Sequence, residues 1–195
     1  MTTLATGLSV LSIAALAILM IAAAVGDARR YIIPNRLCLC VAGAFVVFLV
    51  AQALTPADAR AISVSAPALL KMLGITLVVL AACVVLFATN VMGGGDVKLI
   101  TAGSLWAGPD LIMSFLFLTA ISGGVVTAVV MIRARRLPAE NGADSAAPSS
   151  VVNHPSLNVG PKSTDREDRP GVPYGVAIAV GGLFVAATLL AQTVP

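Results

Sequence analysis

Long apolar runs follow one another along most of this 195-residue chain, separated by short polar breaks. A backbone in lipid must satisfy its own hydrogen bonds, so runs of this length read as helices crossing a bilayer. Hydropathy places six of them, at Leu4–Val25, Leu37–Leu54, Ala68–Thr89, Val97–Ala107, Leu111–Ile132 and Tyr174–Ala191. A mean hydropathy of +0.99 and a charged fraction of 11% lie outside the range of water-soluble domains. The expected fold is all-α: a polytopic membrane protein with six transmembrane helices, forming one membrane domain over residues 1–195. The first run has no Lys or Arg before it and no clear small-residue cleavage site, so it reads as a retained helix.

The fourth run is short. Eleven helical residues reach about 16 Å, against a hydrocarbon core of about 30 Å. The bilayer thins there, or the helix starts below the surface and carries Asp96 inward. Trp106-Ala107-Gly108-Pro109-Asp110 then reads as a helix break, with Asp110 capping the fifth run. From Leu137 to Gly171 the composition turns to Pro, Ser, Asn and charge, which describes a flexible loop unable to bury a core.

With six crossings, ten of the twelve basic residues fall on one side, and only Arg60 and Lys71 on the other. The positive-inside rule makes the first side cytoplasmic, puts both termini outside, and assigns the 137–171 loop to the cytoplasm. These basic residues border the apolar runs and form no stripe of the kind that binds nucleic acid. The three cysteines lie in apolar runs, and His154 is far away in the polar loop. They read as small buried hydrophobes; no metal site is expected.

A carboxylate among membrane spans is expensive and is a functional candidate by default. Two crossings separate Asp27 from Asp96, so both reach cytoplasmic helix ends, whereas Asp58 and Asp110 fall outside. Two carboxylates facing each other across a water do not both ionise easily. One can take a proton from the water while the other polarises a peptide carbonyl. The plainer reading is that Asp27, beside Arg29 and Arg30, is an ordinary interfacial charge and that Lys98 snorkels to headgroups. Gly93-Gly94-Gly95 lacks the ending and the strand of a phosphate-binding loop. On residues alone, a proton-coupled transporter using Asp27 and Asp96 competes with a protease.

Three segments narrow the choice. Asp27-Ala28-Arg29-Arg30-Tyr31-Ile32-Ile33-Pro34-Asn35, Gly93-Gly94-Gly95-Asp96-Val97-Lys98 and Pro173-Tyr174-Gly175 resemble, in order and spacing, motifs of the type IV prepilin peptidases. The resemblance covers the chain apart from the 137–171 insert. It implies an intramembrane aspartic protease of the Gly-x-Gly-Asp type, with Asp27 and Asp96 as the catalytic pair. It further implies that Pro34 and Asn35 shape the turn into the second helix, and that Gly93 and Gly95 bend the chain toward Asp27. Lys98, Pro173, Tyr174 and Gly175 match motif positions as structural or positioning residues. The implied substrate is a prepilin or pseudopilin precursor with a basic leader, cut at the cytoplasmic face of a bacterial inner membrane. The lipid bilayer and the pilus assembly machinery are the other implied partners; no cofactor and no metal are implied. The long members of that family carry two Cys-x-x-Cys pairs, which this chain lacks, so it is similar to the short, peptidase-only form of tight-adherence (Flp) pilus systems. A non-catalytic pilus assembly scaffold is the remaining alternative.

Overall fold

A computed structural model of the chain describes residues 2–30, 33–56, 60–62, 64–136 and 173–193. They form five helical elements: α1 (Thr2–Arg30), α2 (Asn35–Leu54), α3 (Ala66–Ala88), α4 (Gly94–Arg136) and α5 (Tyr174–Thr193). All five are long and apolar enough to cross a membrane by length and composition. Their outward faces carry Leu4, Leu11, Leu70, Val78, Met113 and Phe117 largely exposed. Contiguous apolar surface of this kind is unfavourable in water and is what a lipid-facing surface requires. The 137–171 segment lies outside the described residues, as does Asp58.

The expected fourth and fifth spans emerge as one 43-residue element, interrupted only at Gly108 (φ 55°, ψ −168°). The break is narrower than the five residues read from sequence. Pro109 and Asp110 are already helical, so Gly108, not Asp110, occupies the capping position. The reason is local: only glycine accepts that positive φ freely, and proline suits the first helical position because its missing N–H has no partner there anyway. The interruption is sharp. In an unbroken helix Gly103 and Phe115 would stand about 18 Å apart. Here a Cβ on Gly103 would lie 2.8 Å from Phe115 Cζ, so the two halves of α4 fold back on each other.

α1 packs on α2 and α5, and α4 packs on α2, α3 and α5. In lipid no hydrophobic force pushes helices together, so close fit and interhelical hydrogen bonds decide the packing. α5 supplies the fit with glycines on two faces. A Cβ at Gly182 would lie 2.7 Å from Met20 Sδ of α1, and one at Gly181 would strike Thr119 and Phe115 of α4. Ser122 Oγ also donates to the Ala177 carbonyl at 3.1 Å, joining α4 to α5. Between α2 and α4 the fit is aromatic. Trp106 lies 5.4 Å from Phe45 and 5.2 Å from Phe48, ring centre to ring centre, and its Nε1–H donates to the Val41 carbonyl at 3.0 Å.

At the end of the bundle where α2 finishes, buried Gln52 ties three segments. Its Nε2 donates to Ser9 Oγ at 3.2 Å, and its Oε1 accepts from the Ala61 amide at 2.9 Å. Arg60 Nε donates to the Thr55 carbonyl at 2.8 Å, satisfying the end of α2 with a cation that suits the helix dipole. These bonds hold one end of α1 and α2 together. The two aspartates sit at the other end.

Candidate active site

Asp27 lies in the last turn of α1 and is buried, only 5% exposed. A carboxyl group there needs a donor, and the first turn of α5 supplies one. The Gly175 backbone N–H donates to Asp27 Oδ2 at 2.6 Å. Helix N-termini present amides with no intrahelical partner, so this bond costs α5 nothing. The approach is possible only because residue 175 has no side chain. A Cβ there would lie 2.8 Å from Asp27 Cβ and Oδ2. Pro173 leads into α5, with its carbonyl accepting from the Val176 amide at 3.3 Å, and Tyr174 is half-buried against Gly123 of α4.

Asp96 is brought in by a different route. α3 ends on Asn90 in the left-handed region (φ 57°), with Val91 N–H donating to the Leu86 carbonyl and Asn90 N–H to that of Phe87, each at 3.0 Å. This is the Schellman termination, and asparagine tolerates its left-handed position better than most residues. The third apolar run read from sequence ends at Thr89, the cap of this helix, but the left-handed Asn90 that terminates it was not read. The chain then turns into α4 within a few residues. Gly93 precedes the helix and its carbonyl accepts from Val97 N–H at 3.2 Å. Asp96, half-buried in the first turn, takes a hydrogen bond from the Gly93 amide. A first-turn carboxylate reaching back to the residue before the helix is a stable start, favoured by the helix dipole.

Asp96 lies within electrostatic reach of Asp27. The glycines work by close approach rather than by unusual backbone. Neither Gly93 nor Gly95 has a positive φ. A Cβ at Gly93 would lie 3.1 Å from Asp96 Oδ2, and one at Gly95 would lie 3.2 Å from Ile33 Cβ. Gly94 similarly faces the ring of Phe87 at 3.4 Å, a contact with no sequence signature. Pro34 (φ −68°, ψ 138°) stands immediately before α2 and its carbonyl accepts from Leu37 N–H at 3.0 Å. Asn35 opens α2 and accepts from Lys98 Nζ at 2.9 Å through its Oδ1. The structure thus gathers all ten motif residues at one end of the bundle, drawn from the end of α1, the approach to and first residue of α2, and the approaches to and first turns of α4 and α5.

A family model described as the type IV leader peptidase family matches residues 14–128, more than half of the chain. The match takes in Asp27, Pro34, Asn35 and Gly93 through Lys98, and stops short of α5. No curated protein and no solved structure matches the chain. The chain belongs to the type IV leader peptidase family.

Proposed function

We propose that this member of the type IV leader peptidase family is a membrane aspartic endopeptidase that removes the basic leader from prepilins or pseudopilins, of the Flp-like class, at the cytoplasmic membrane face. What supports the reading is that Asp27 and Asp96 lie within electrostatic reach of each other, at the end of the bundle that also gathers the other motif residues. One carboxylate takes a proton from a water as its oxygen attacks the scissile carbonyl. The other, protonated, donates to the carbonyl oxygen. The tetrahedral intermediate then collapses as a proton passes to the departing amine. Gly175 N–H keeps Asp27 in place for this exchange.

We take each half of α4 as one crossing, folded back at Gly108, for six crossings in all. The half from 94 to 107 spans about 21 Å, longer than its apolar run but short of a full bilayer core. The shortfall of about 9 Å means that the bilayer thins there or that Asp96 lies below the surface, with hydrolytic water entering from the cytoplasmic end. Arg29, Arg36, Lys98 and Arg133 then share the cytoplasmic side with the aspartates, and both termini lie outside. The apolar helix of a pilin precursor stays in lipid while its basic leader reaches the aspartates from the cytoplasm.

Co-expression with pilin precursors from the same genome, followed by immunoblotting for leader loss, tests the reading. Wild type converts precursor to the shorter form. Asp27→Asn and Asp96→Asn each fall by about 100-fold or more, the range for losing a general acid or base. Asp110→Asn, at the far end of the half-helix, cleaves normally. Near-normal cleavage by either dyad variant sinks the mechanism.

A further inference from the structure

α1 and α4, which carry the two aspartates, are not among the helix pairs that pack closely; each packs instead on α2 and on α5. The separation of Asp27 and Asp96 is therefore set through intermediaries. One is α5, which packs on α4 and whose Gly175 amide donates to Asp27. The other is the segment from Ile33 to Asn35. It follows α1 closely in sequence and touches the first turn of α4 on both sides of Asp96. Ile33 seats against Gly95, immediately before Asp96. Asn35 Oδ1 accepts from Lys98 Nζ, two residues after it, at 2.9 Å across 63 residues of sequence. Pro34 between them fixes one backbone angle and so holds the two contacts at a set spacing.

Lys98 Nζ donates a hydrogen bond to the Asn35 side-chain amide oxygen. Its charge does reach Cys38, in the first turn of α2, as does that of Asp96, so the starts of α2 and α4 are held side by side. A cation placed to neutralise the dyad would point at a carboxylate. This one joins two backbone segments.

We propose that Lys98 and Asn35, both on the exposed rim of the site, form a clasp that sets the separation of Asp27 and Asp96, which makes Lys98 a positioning residue that acts through the backbone around Asp96 and not on the reacting groups. The proposal rests on the peptidase reading for its kinetic consequence, and on geometry alone for its structural one. It predicts that Lys98→Met and Asn35→Ala each lower kcat about tenfold with KM unchanged. The double variant is no worse than the poorer single one, because both remove the same bond. Lys98→Arg, which keeps a donor at that reach, recovers most of the rate.

The structural arm needs no substrate. Asp27→Cys and Asp96→Cys are combined in a background with Cys38, Cys40 and Cys83 replaced by serine, and cross-linked in membranes with a short bifunctional methanethiosulfonate. Adding Lys98→Met slows cross-linking several-fold, and Lys98→Arg restores it. Cross-linking indifferent to Lys98→Met overturns the clasp. So does a raised KM with unchanged kcat, which would place Lys98 against the substrate. Wild-type protein that cleaves no pilin precursor would instead overturn the peptidase reading, and Lys98-dependent cross-linking in that same protein would still support the clasp.

Discussion

Gly175→Ala adds a single methyl group and removes no functional atom, yet it should disable the site. The new Cβ would lie 2.8 Å from Asp27 Cβ and Oδ2 and 2.9 Å from its Cγ. Carbon atoms rest at about 3.5–4.0 Å, so Asp27 and the start of α5 must separate by roughly 0.7 Å or more. Asp27 is buried, which leaves its side chain little room to swing aside. The separation stretches the 2.6 Å bond from the Gly175 amide. A hydrogen bond to a charged group is worth about 1.5–3 kcal/mol, or roughly 10- to 150-fold in rate if all of it bears on the transition state. A shift approaching 1 Å at a reacting group costs on the order of 100-fold by itself. The two effects describe one displacement and do not add, so the expected loss in kcat is about 100-fold. Leader removal from a precursor by enzyme in lipid nanodiscs, with kcat and KM separated, measures it. Gly43→Ala and Gly124→Ala are the controls, since a Cβ at either position meets nothing within 4 Å. Cleavage by an inserted Gly175→Ala within a few-fold of wild type would refute the idea that α5 must touch Asp27.

Three further expectations concern the glycine run, the polar segment after α4 and the orientation. Gly95→Val should be as damaging as loss of an aspartate, because even a lone Cβ would sit 3.2 Å from Ile33 Cβ and valine adds two more carbons; Gly95→Ala should fall between, and full activity of the valine variant in the blot assay would make the glycine incidental. Replacing Ala139–Asp168 with a short Gly/Ser linker, while keeping Arg133, Arg135 and Arg136, should preserve cleavage, since changes in loop length cost little; loss of activity with normal insertion would mean that the segment contacts substrate or partner. Single cysteines at Ala28, Ala57 and Ser145 should react with an impermeant thiol reagent in intact cells only at Ala57, and labelling of Ser145 from outside would invert the orientation.

The positions of the apolar helices are a local matter, and local composition carried them; Asp27 and Asp96 were singled out as candidates by their place at the ends of apolar runs and paired by counting crossings and by the resemblance of their motifs. Apolar length marks a span because the bilayer has a fixed thickness, and a buried acid stands out because lipid penalises it wherever it sits. The sharp turn after Ala107 was also legible, since Gly108-Pro109 admits few other conformations, although its confinement to one residue was not. What only the tertiary structure decided is who touches whom. Gly175 and Asp27 are 148 residues apart, and Lys98 and Asn35 are 63. Motif order placed these residues in one site but assigned none of those bonds. The physical reason lies in the solvent. In water, a helix advertises its packed face as an apolar stripe against a polar one. In lipid every face is apolar, and helices meet where small residues let backbones approach. A glycine that seats Asp27 and one that faces empty space, such as Gly124, look alike in sequence; only the packed bundle tells them apart.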